Sequence, residues 1–396
     1  MAKVKFVDYR DDCLYISVEG KVDSITTSEV GKEIDQMESE HTCKSVNIDA
    51  QKLDYISSSG LRYLLALKKR TTGPVVIKNV SIEVYEIFEI SGFTNILEVH
   101  KRLREISVDG CEIIGQGANG KVYRLSNDSI VKVYTPEADI ADINRERELA
   151  QKSFVSGIPT AITFDVVRVG NAYGVVFELL NAKSLSEVIR NDVNNFEKYA
   201  DKYVALYRTF HTTKVQEGDF PRIKDIYHTY VDECKEWYEK EEVAKLHKMV
   251  DAIPECDTLI HGDYHPRNIM MQNDELVIID MGDVGRGHPI LDFLATAATQ
   301  ANLVELSPEY AEFHTGMPVE LIKRLWNYLL EHYFSDKSPE EIKILDKQIR
   351  AYSKLKVAVA PVVGRGAEEA IIKASVQDVK INLVPNIDTL IDNFIW

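Results

Sequence analysis

For about its first hundred residues this chain alternates short apolar strands with helical repeats, and around Arg104 to Asp109 that rhythm gives way to another. Apolar residues alternate from Val4 to Arg10 and from Leu14 to Glu19 on either side of Asp11-Asp12, the pattern of strand, turn and strand. Thr27 to Met37 places Val30, Ile34 and Met37 at helical spacing, and Ser45 to Ile48 is a short apolar strand. The serine-rich turn Ser57-Ser58-Ser59-Gly60 leads into a helix carrying Leu61, Leu64, Leu65 and Lys68, after which Val75 to Ile77 and Ile82 to Ile90 add a strand and a helix. Strand and helix in this order predict one small α/β domain over residues 1–105. Past the boundary the pattern changes. Cys111 to Arg124 and Ser129 to Tyr134 have the look of twisted strands, Ile140 to Ser153 that of a charged helix, and two further strands end in Tyr173 to Leu180. After Leu185 the chain is mostly helical, interrupted by Leu259 to Asp283. The expected fold class is therefore α+β, a small α/β domain followed by residues 106–396 with strands up to about 180 and helices from about 181.

A chain of 396 residues exceeds what one hydrophobic core ordinarily supports, and 45% hydrophobic with 28% charged residues leaves material for more than one. The formal net charge of −16 argues against non-specific nucleic-acid binding and against a polybasic membrane contact, both of which need a positive surface. It leaves room for a nucleotide, because a few lysines, backbone N–H groups and a metal hold polyphosphate inside an acidic protein. Cys13, Cys43, Cys111, Cys234 and Cys256 are scattered and odd in number, which predicts buried free thiols rather than a disulfide framework or a zinc site. Met1 through Asp12 is charged where a secretory signal has an apolar core, and no apolar run approaches membrane-spanning length, so a cytoplasmic location is expected.

Three segments carry chemistry. In Gly115-Gln116-Gly117-Ala118-Asn119-Gly120 the glycines Gly115, Gly117 and Gly120 let backbone N–H groups approach phosphate oxygens, though a glycine-rich hairpin also serves as a plain turn. Lys132 follows in the apolar strand Ile130 to Tyr134, at the distance of a cation that holds the α and β phosphates. Such a lysine needs an anionic partner, and Asn144-Arg145-Glu146-Arg147-Glu148 offers Glu148, the favoured candidate, or Glu146; a solvated helix with paired charges fits the same residues. The third segment runs from Leu259 through His261-Gly262-Asp263-Tyr264-His265-Pro266-Arg267-Asn268 to Val277-Ile278-Ile279-Asp280. Two apolar strands each deliver a carboxylate, with Asn268 five residues past Asp263. That pattern suits Asp263 as the catalytic acceptor of a hydroxyl proton, with Asn268 and Asp280 on Mg²⁺.

This third segment resembles the aminoglycoside phosphotransferase and choline kinase superfamily, whose signature is His-Gly-Asp-x-His-x-x-Asn followed by an Asp-centred metal motif. The resemblance covers roughly Cys111 to the C-terminus and weakens beyond about Gln300. It implies a bilobal, protein-kinase-like fold that uses ATP and Mg²⁺, with Lys132 and Glu148 as the phosphate-holding pair and adenine against the backbone near Glu178 to Leu180. His211 matches a recurrent structural histidine of the family, and Asp283 and Asp292 fall on acidic positions with structural roles. The N-terminal domain resembles the anti-sigma factor antagonist, or STAS, domain along nearly its whole length, with Leu53 to Leu61 as the matching residues. Ser58 falls there on the phosphoacceptor position, and Ser57 replaces the usual Asp. A serine at a helix N-terminus is placed either to carry phosphate or simply to cap the helix.

Three functions follow. One is an ATP-dependent phosphotransferase acting on the hydroxyl of a small molecule, with the STAS-like domain regulating it or binding a protein partner. The second is a serine protein kinase acting on a STAS or anti-sigma pathway protein, and the third a non-catalytic nucleotide-binding scaffold. All the residue types for metal, phosphate and proton handling are present, against the scaffold. The Arg that precedes the catalytic Asp in phosphorylation-controlled kinases is missing, and so is an Ala-Pro-Glu sequel, against the protein kinase. The acceptor itself is not encoded in a motif. Tyr227, Tyr230, Asp232, Glu233, Trp237 and Tyr238 form an acidic, aromatic stretch that fits a pocket for a cationic substrate or an ordinary helix with one packed face.

Overall fold

Asp11 and Asp12 both adopt left-handed backbone, φ 52° and 57°, and reverse the chain between strands β1 (Lys3–Arg10) and β2 (Cys13–Val22). They open the first of two units, Met1–Ile106 and Ser107–Trp396, into which the chain divides. The computed structural model describes residues 2–117, 120–363 and 368–396. In the first unit β1 and β2 are followed by α1 (Thr27–His41), β3 (Ser45–Ile56), α2 (Ser58–Arg70), β4 (Val75–Val80), α3 (Ile82–Ile90) and β5 (Glu98–Lys101). The sheet runs in chain order, antiparallel between β1 and β2 and parallel from β2 through β5. Alternate residues Leu14, Ile16, Val46, Ile48, Val75 and Ile77 are buried with Ile34, Leu67 and Phe88 from the helices, so the period of two in the strands and of 3.6 in the helices meets in one core. The third strand is much longer than the Ser45 to Ile48 expected from its apolar run, because it carries on through the polar residues before Ile56.

The second unit opens with five antiparallel strands: β6 (Ile113–Gly117), β7 (Gly120–Arg124), β8 (Ser129–Tyr134), β9 (Thr163–Val169) and β10 (Ala172–Glu178). Side by side their order is β9, β10, β8, β7, β6, with helix α4 (Ile140–Val155) between β8 and β9 in the chain. Ala118 and Asn119 of the glycine loop lie outside the described residues. The helical part includes α5 (Phe196–Thr212), α6 (Ile223–Glu233) and α7 (Lys240–Ala252). Two hairpin-like pairs interrupt it: β11 (Thr258–Ile260) with β14 (Gly285–Gly287), and β12 (Ile269–Gln272) with β13 (Glu275–Ile278). The chain continues through α8 (Ile290–Ala297), α9 (Pro308–Thr315), α10 (Val319–Tyr333) and α11 (Pro339–Ala358). Tyr203, Tyr207, Phe210, Tyr264, Phe293 and Trp326 pack edge to face or tilted in its core, anchoring β11 and the loop behind it to α5 and α8. Among the described residues no helix is long and apolar enough to cross a membrane. All five cysteines are unpaired, but only Cys234 is buried; the other four are partly exposed, a correction to the expectation of buried thiols.

Candidate active site

Lys132 sits mid-strand on β8, flanked across the ladder by Val122 of β7 and Val175 of β10, and its apolar neighbours keep the side chain largely out of water. Its Nζ donates to Glu146 Oε1 at 2.8 Å and to Asp280 Oδ1 at 3.3 Å. Burial alone would lower its pKa, but the charges of Asp280 and Glu146 outweigh it and hold the amine firmly protonated. The partner is thus Glu146 and not the favoured Glu148. On α4 the buried residues Ile143, Leu149, Ala150 and Ser153 define the inward face, and Glu146 belongs to it. Glu148, two residues on, is turned about 200° away and is exposed.

Gly115 and Gly117 lie on β6, and Gly117 pairs with Gly120 at the start of β7. Gly120 has φ +152°, and a Cβ there would come within 2.0 Å of the Val133 carbonyl oxygen, so close strand approach requires glycine. At the end of β10 the N–H groups of Glu178 and Leu179 donate to Ile162 O and Asp128 O. The Glu178 carboxylate accepts from Ile162 N at 2.8 Å.

The loop after β11 is held from behind. The N–H groups of His261 and Gly262 donate to the two carboxylate oxygens of Asp292, at 2.9 and 2.7 Å, and His211 Nε2 lies 3.0 Å from the same carboxylate. Asp292 is completely buried, and although burial would raise its pKa, the hydrogen bond and charge of His211 keep it low. His211 in turn meets the Tyr333 hydroxyl at 2.8 Å through Nδ1. Gly262 has φ +82°, and a Cβ would sit 2.7 Å from the Asp283 carbonyl oxygen, so the backbone there tolerates no side chain.

So clamped, the loop presents Asp263. Asn268 Nδ2 donates to its Oδ2 at 3.2 Å and to its carbonyl oxygen at 3.1 Å, which leaves the Asn268 carbonyl oxygen for another partner. His265 Nδ1 lies at hydrogen-bond distance from Arg267 N, and its Nε2 is 3.5 Å from Asp263 Oδ2. Burial pushes the Asp263 carboxyl up, but the hydrogen bond and charge of His265, then Lys356 and His314, hold it well below the usual carboxylate range. Asp280, just past β13, has φ +64°, a conformation few non-glycine residues adopt, and it aims its carboxylate at Lys132.

Two residues here escape a motif reading. His314, from α9, stacks obliquely against His265 with ring centres 4.6 Å apart, and burial lowers its pKa to about 4. Asp263, His265 and His314 bring ligand atoms within 4.8 Å of one another. Lys356, from α11, donates Nζ to Gly262 O at 3.2 Å. One signal pointed to it: Leu345, Ile349 and Tyr352 form a buried stripe at helical spacing, and the next position of that stripe is occupied by lysine. In the first unit Ser58 is the exposed first residue of α2, while Ser57 is the cap, its Oγ accepting from Gly60 N at 3.4 Å.

The family model described as "Phosphotransferase enzyme family" (APH) matches residues 110–317, and that for the STAS domain matches residues 7–106. A curated protein of Bordetella bronchiseptica, "Putative anti-sigma factor antagonist BtrV", is 34% identical over 100 residues, covering 24% of this chain and 82% of that protein. Among solved structures, the streptomycin-ATP-APH(2")-IIa ternary complex aligns with a TM-score of 0.47 at 16% identity, over 78% of this chain and 98% of that one. A choline/ethanolamine kinase family protein from Mesorhizobium loti aligns with a TM-score of 0.44 at 13% identity, over 71% and 91%. With more than half of its length matched, the His-Gly-Asp signature presented on a loop clamped by Asp292, and Asp280 paired with a strand-borne lysine, the chain belongs to the phosphotransferase enzyme family and carries a STAS domain ahead of its kinase-like part.

Proposed function

We propose that the protein transfers the γ-phosphate of ATP to a hydroxyl of a small molecule, with Asp263 as the catalytic residue. The observation that carries this reading is the pairing of strand-borne Lys132 with Glu146 of α4 and with Asp280, beside the loop that holds Asp263 and Asn268, to which the residue before Asp280 is tied by the hydrogen bond from Ile279 N to Asn268 O.

The residues fit a Mg²⁺-nucleotide. Lys132, fixed by Glu146, is a cation for the α and β phosphates, and the glycines of β6 and β7 leave backbone N–H groups near phosphate. Beyond Glu178 and Leu179, whose N–H groups are taken, Leu180 offers backbone to the adenine edge. Asn268 Oδ1 and the Asp280 carboxylate are the hard oxygen ligands a divalent cation takes, and the cation when bound supplies charge neutralisation on the phosphates. In the transfer the acceptor oxygen forms a bond to the γ-phosphorus while the bond from that phosphorus to the β–γ bridging oxygen breaks, and ADP leaves. The acceptor proton passes to Asp263. Ionised and oriented by Asn268 and His265, Asp263 aligns the hydroxyl, and in a loose transition state that alignment matters more than full deprotonation.

The STAS domain is proposed to regulate this activity or to dock a protein partner, with the exposed Ser58 as its modification site: phosphate there would meet the free N–H groups at the start of α2. The reaction is tested by calorimetric titration of the full chain with Mg·ATP together with a screen of alcohols for stimulated ADP release. Absence of Mg·ATP affinity in the intact protein would overturn the reading.

A further inference from the structure

Beside the catalytic loop lies a cleft, part of it open to solvent, whose wall includes Gly262, Asp283, Tyr227, Tyr230, Arg145 and Lys356. It adjoins Asp263 by one residue, so it is the space in which an acceptor would wait for phosphate. The aromatic stretch of α6 does contribute here, through Tyr227 and Tyr230, yet the charges beside it differ from what a cationic substrate needs. Asp232 and Glu233, which made that stretch look acidic, are absent from the wall, and Asp232 is hydrogen-bonded to His247 instead.

Lys356 is the most informative of these groups. It stands on the otherwise buried stripe of α11 and is itself only partly exposed, so its ammonium has given up part of its hydration, a loss that nearby anions offset. Among the described residues its one hydrogen bond is to the neutral carbonyl of Gly262 at 3.2 Å. Among the described residues no carboxylate lies within ion-pair distance of it: Asp283 and Asp263 act on it only from farther away. Two of the three ammonium protons are therefore left for a ligand. Arg145, exposed on α4, likewise has no ion pair among the described residues and adds a second positive charge to the same wall. Against these two cations the wall sets the single carboxylate of Asp283. An amine placed here would face like charge, whereas a carboxylate or phosphate would find a charge-assisted donor that, among the described residues, no carboxylate pairs with directly.

We infer that the acceptor is an anionic alcohol, a hydroxyl compound bearing a carboxylate or phosphate group that is held by Lys356 and Arg145 while its hydroxyl reaches Asp263. This rests on the phosphotransferase reading above and narrows it. Tyr227 and Tyr230 pack against the carbon frame between the two ends.

The test uses the full chain with Mg·ATP and matched alcohols that share a frame and differ in charge: glycerate and glycerol 3-phosphate against glycerol and 3-amino-1,2-propanediol, and gluconate and glucose 6-phosphate against glucose and glucosamine. Stimulated ADP release is expected from anionic members. For the best of them Lys356→Met should raise KM about 10- to 100-fold, the loss of one charge-assisted hydrogen bond, with the Mg·ATP dissociation constant changed no more than about twofold. That unchanged nucleotide affinity also certifies the fold, and Lys356→Arg, which keeps the charge, and Arg145→Gln, on an exposed helix face, give smaller increases in the same direction. Three results overturn the inference while leaving the phosphotransferase intact: release stimulated by the neutral or amine members with the anions silent, no stimulation by any anion from enzyme that binds Mg·ATP, or an acceptor KM unmoved by Lys356→Met. Failure of the wild-type chain to bind Mg·ATP overturns the underlying reading instead.

Discussion

Asp263 is ionised before any acceptor arrives, because His265, Lys356 and His314 together outweigh the effect of its burial. Replacing its carboxylate with an amide of the same shape keeps Asn268 and the backbone where they are and removes only the proton acceptor. Asp263→Asn is therefore expected to lower kcat by about 10²- to 10⁴-fold while leaving the Mg·ATP dissociation constant within about twofold, as read by steady-state kinetics and calorimetry. Wild-type turnover in this variant would remove Asp263 from the mechanism. The same scale separates the two glutamates of α4. Glu146→Gln should weaken Mg·ATP binding about tenfold, since Lys132 loses its charged partner at 2.8 Å, whereas Glu148→Gln, on the exposed face, should stay within about twofold. Here the sequence was legible up to a point. It identified the lysine and the helix that answers it, but the choice between residues two apart depends on the rotation of α4, and that is set by Ile143, Leu149 and Ala150 packing inward. For Lys356 the stripe Leu345, Ile349 and Tyr352 marked an out-of-place lysine, but nothing local joins it to Gly262, 94 residues earlier.

The loop between β11 and β12 gets its shape from elements that are far away in the chain. Asp292 at the start of α8 accepts from two backbone N–H groups of the loop and from His211 at the end of α5. Removing that carboxylate strands three buried donors, so Asp292→Ala is expected to destabilise the second unit by about 3–5 kcal/mol in urea unfolding. Turnover should fall with it, as the clamp behind Asp263 is lost. A second element-scale consequence concerns pH. His288, at the turn into α8, is buried and stacked edge-on against Trp396, and burial, then the charge of His211, lowers its pKa from 6.5 to about 4. Between those values the unfolded chain binds a proton that the folded one refuses, so stability is full above pH 6.5 and declines as the pH falls toward 4, by about 3 kcal/mol over the whole window. Urea midpoints measured from pH 7 to pH 4.5 should show this slope, and His288→Phe should flatten its share; an identical slope in the variant would rule His288 out as its source. Strands and helices themselves were largely visible in the alternation of apolar residues. Where they ended was less so: β3 runs well beyond its apolar start through Asp49, Gln51, Lys52 and Asp54, residues whose side chains tell of exposure rather than of a strand ending.

At the scale of the whole molecule the boundary near residue 106 was legible because the two halves obey different periodicities, and each half closes its own core. A chain beginning at residue 107 should accordingly fold and bind Mg·ATP, as judged by calorimetry, while differing from the full chain in acceptor kinetics or in the proteins it retains. If it matches the full chain in both respects, and Ser58→Ala changes neither, the STAS domain does not regulate the enzyme. What no periodicity could disclose is which distant helix would close over the catalytic loop. That helix, α11, begins at Pro339, past residue 317, where the family match ends. The lysine proposed to hold the acceptor thus lies outside the stretch that makes the family recognisable, while Arg145, Tyr227, Tyr230 and Asp263 lie within it. Two chains could share every letter of the signature and still prefer different acceptors, having diverged in a C-terminal helix whose lysine also touches the carbonyl beside the catalytic carboxylate. Acceptor preference would then be retuned from the far end of the chain as well as from the matched stretch, and exchanging α11 together with residue 145 is the way to redirect it.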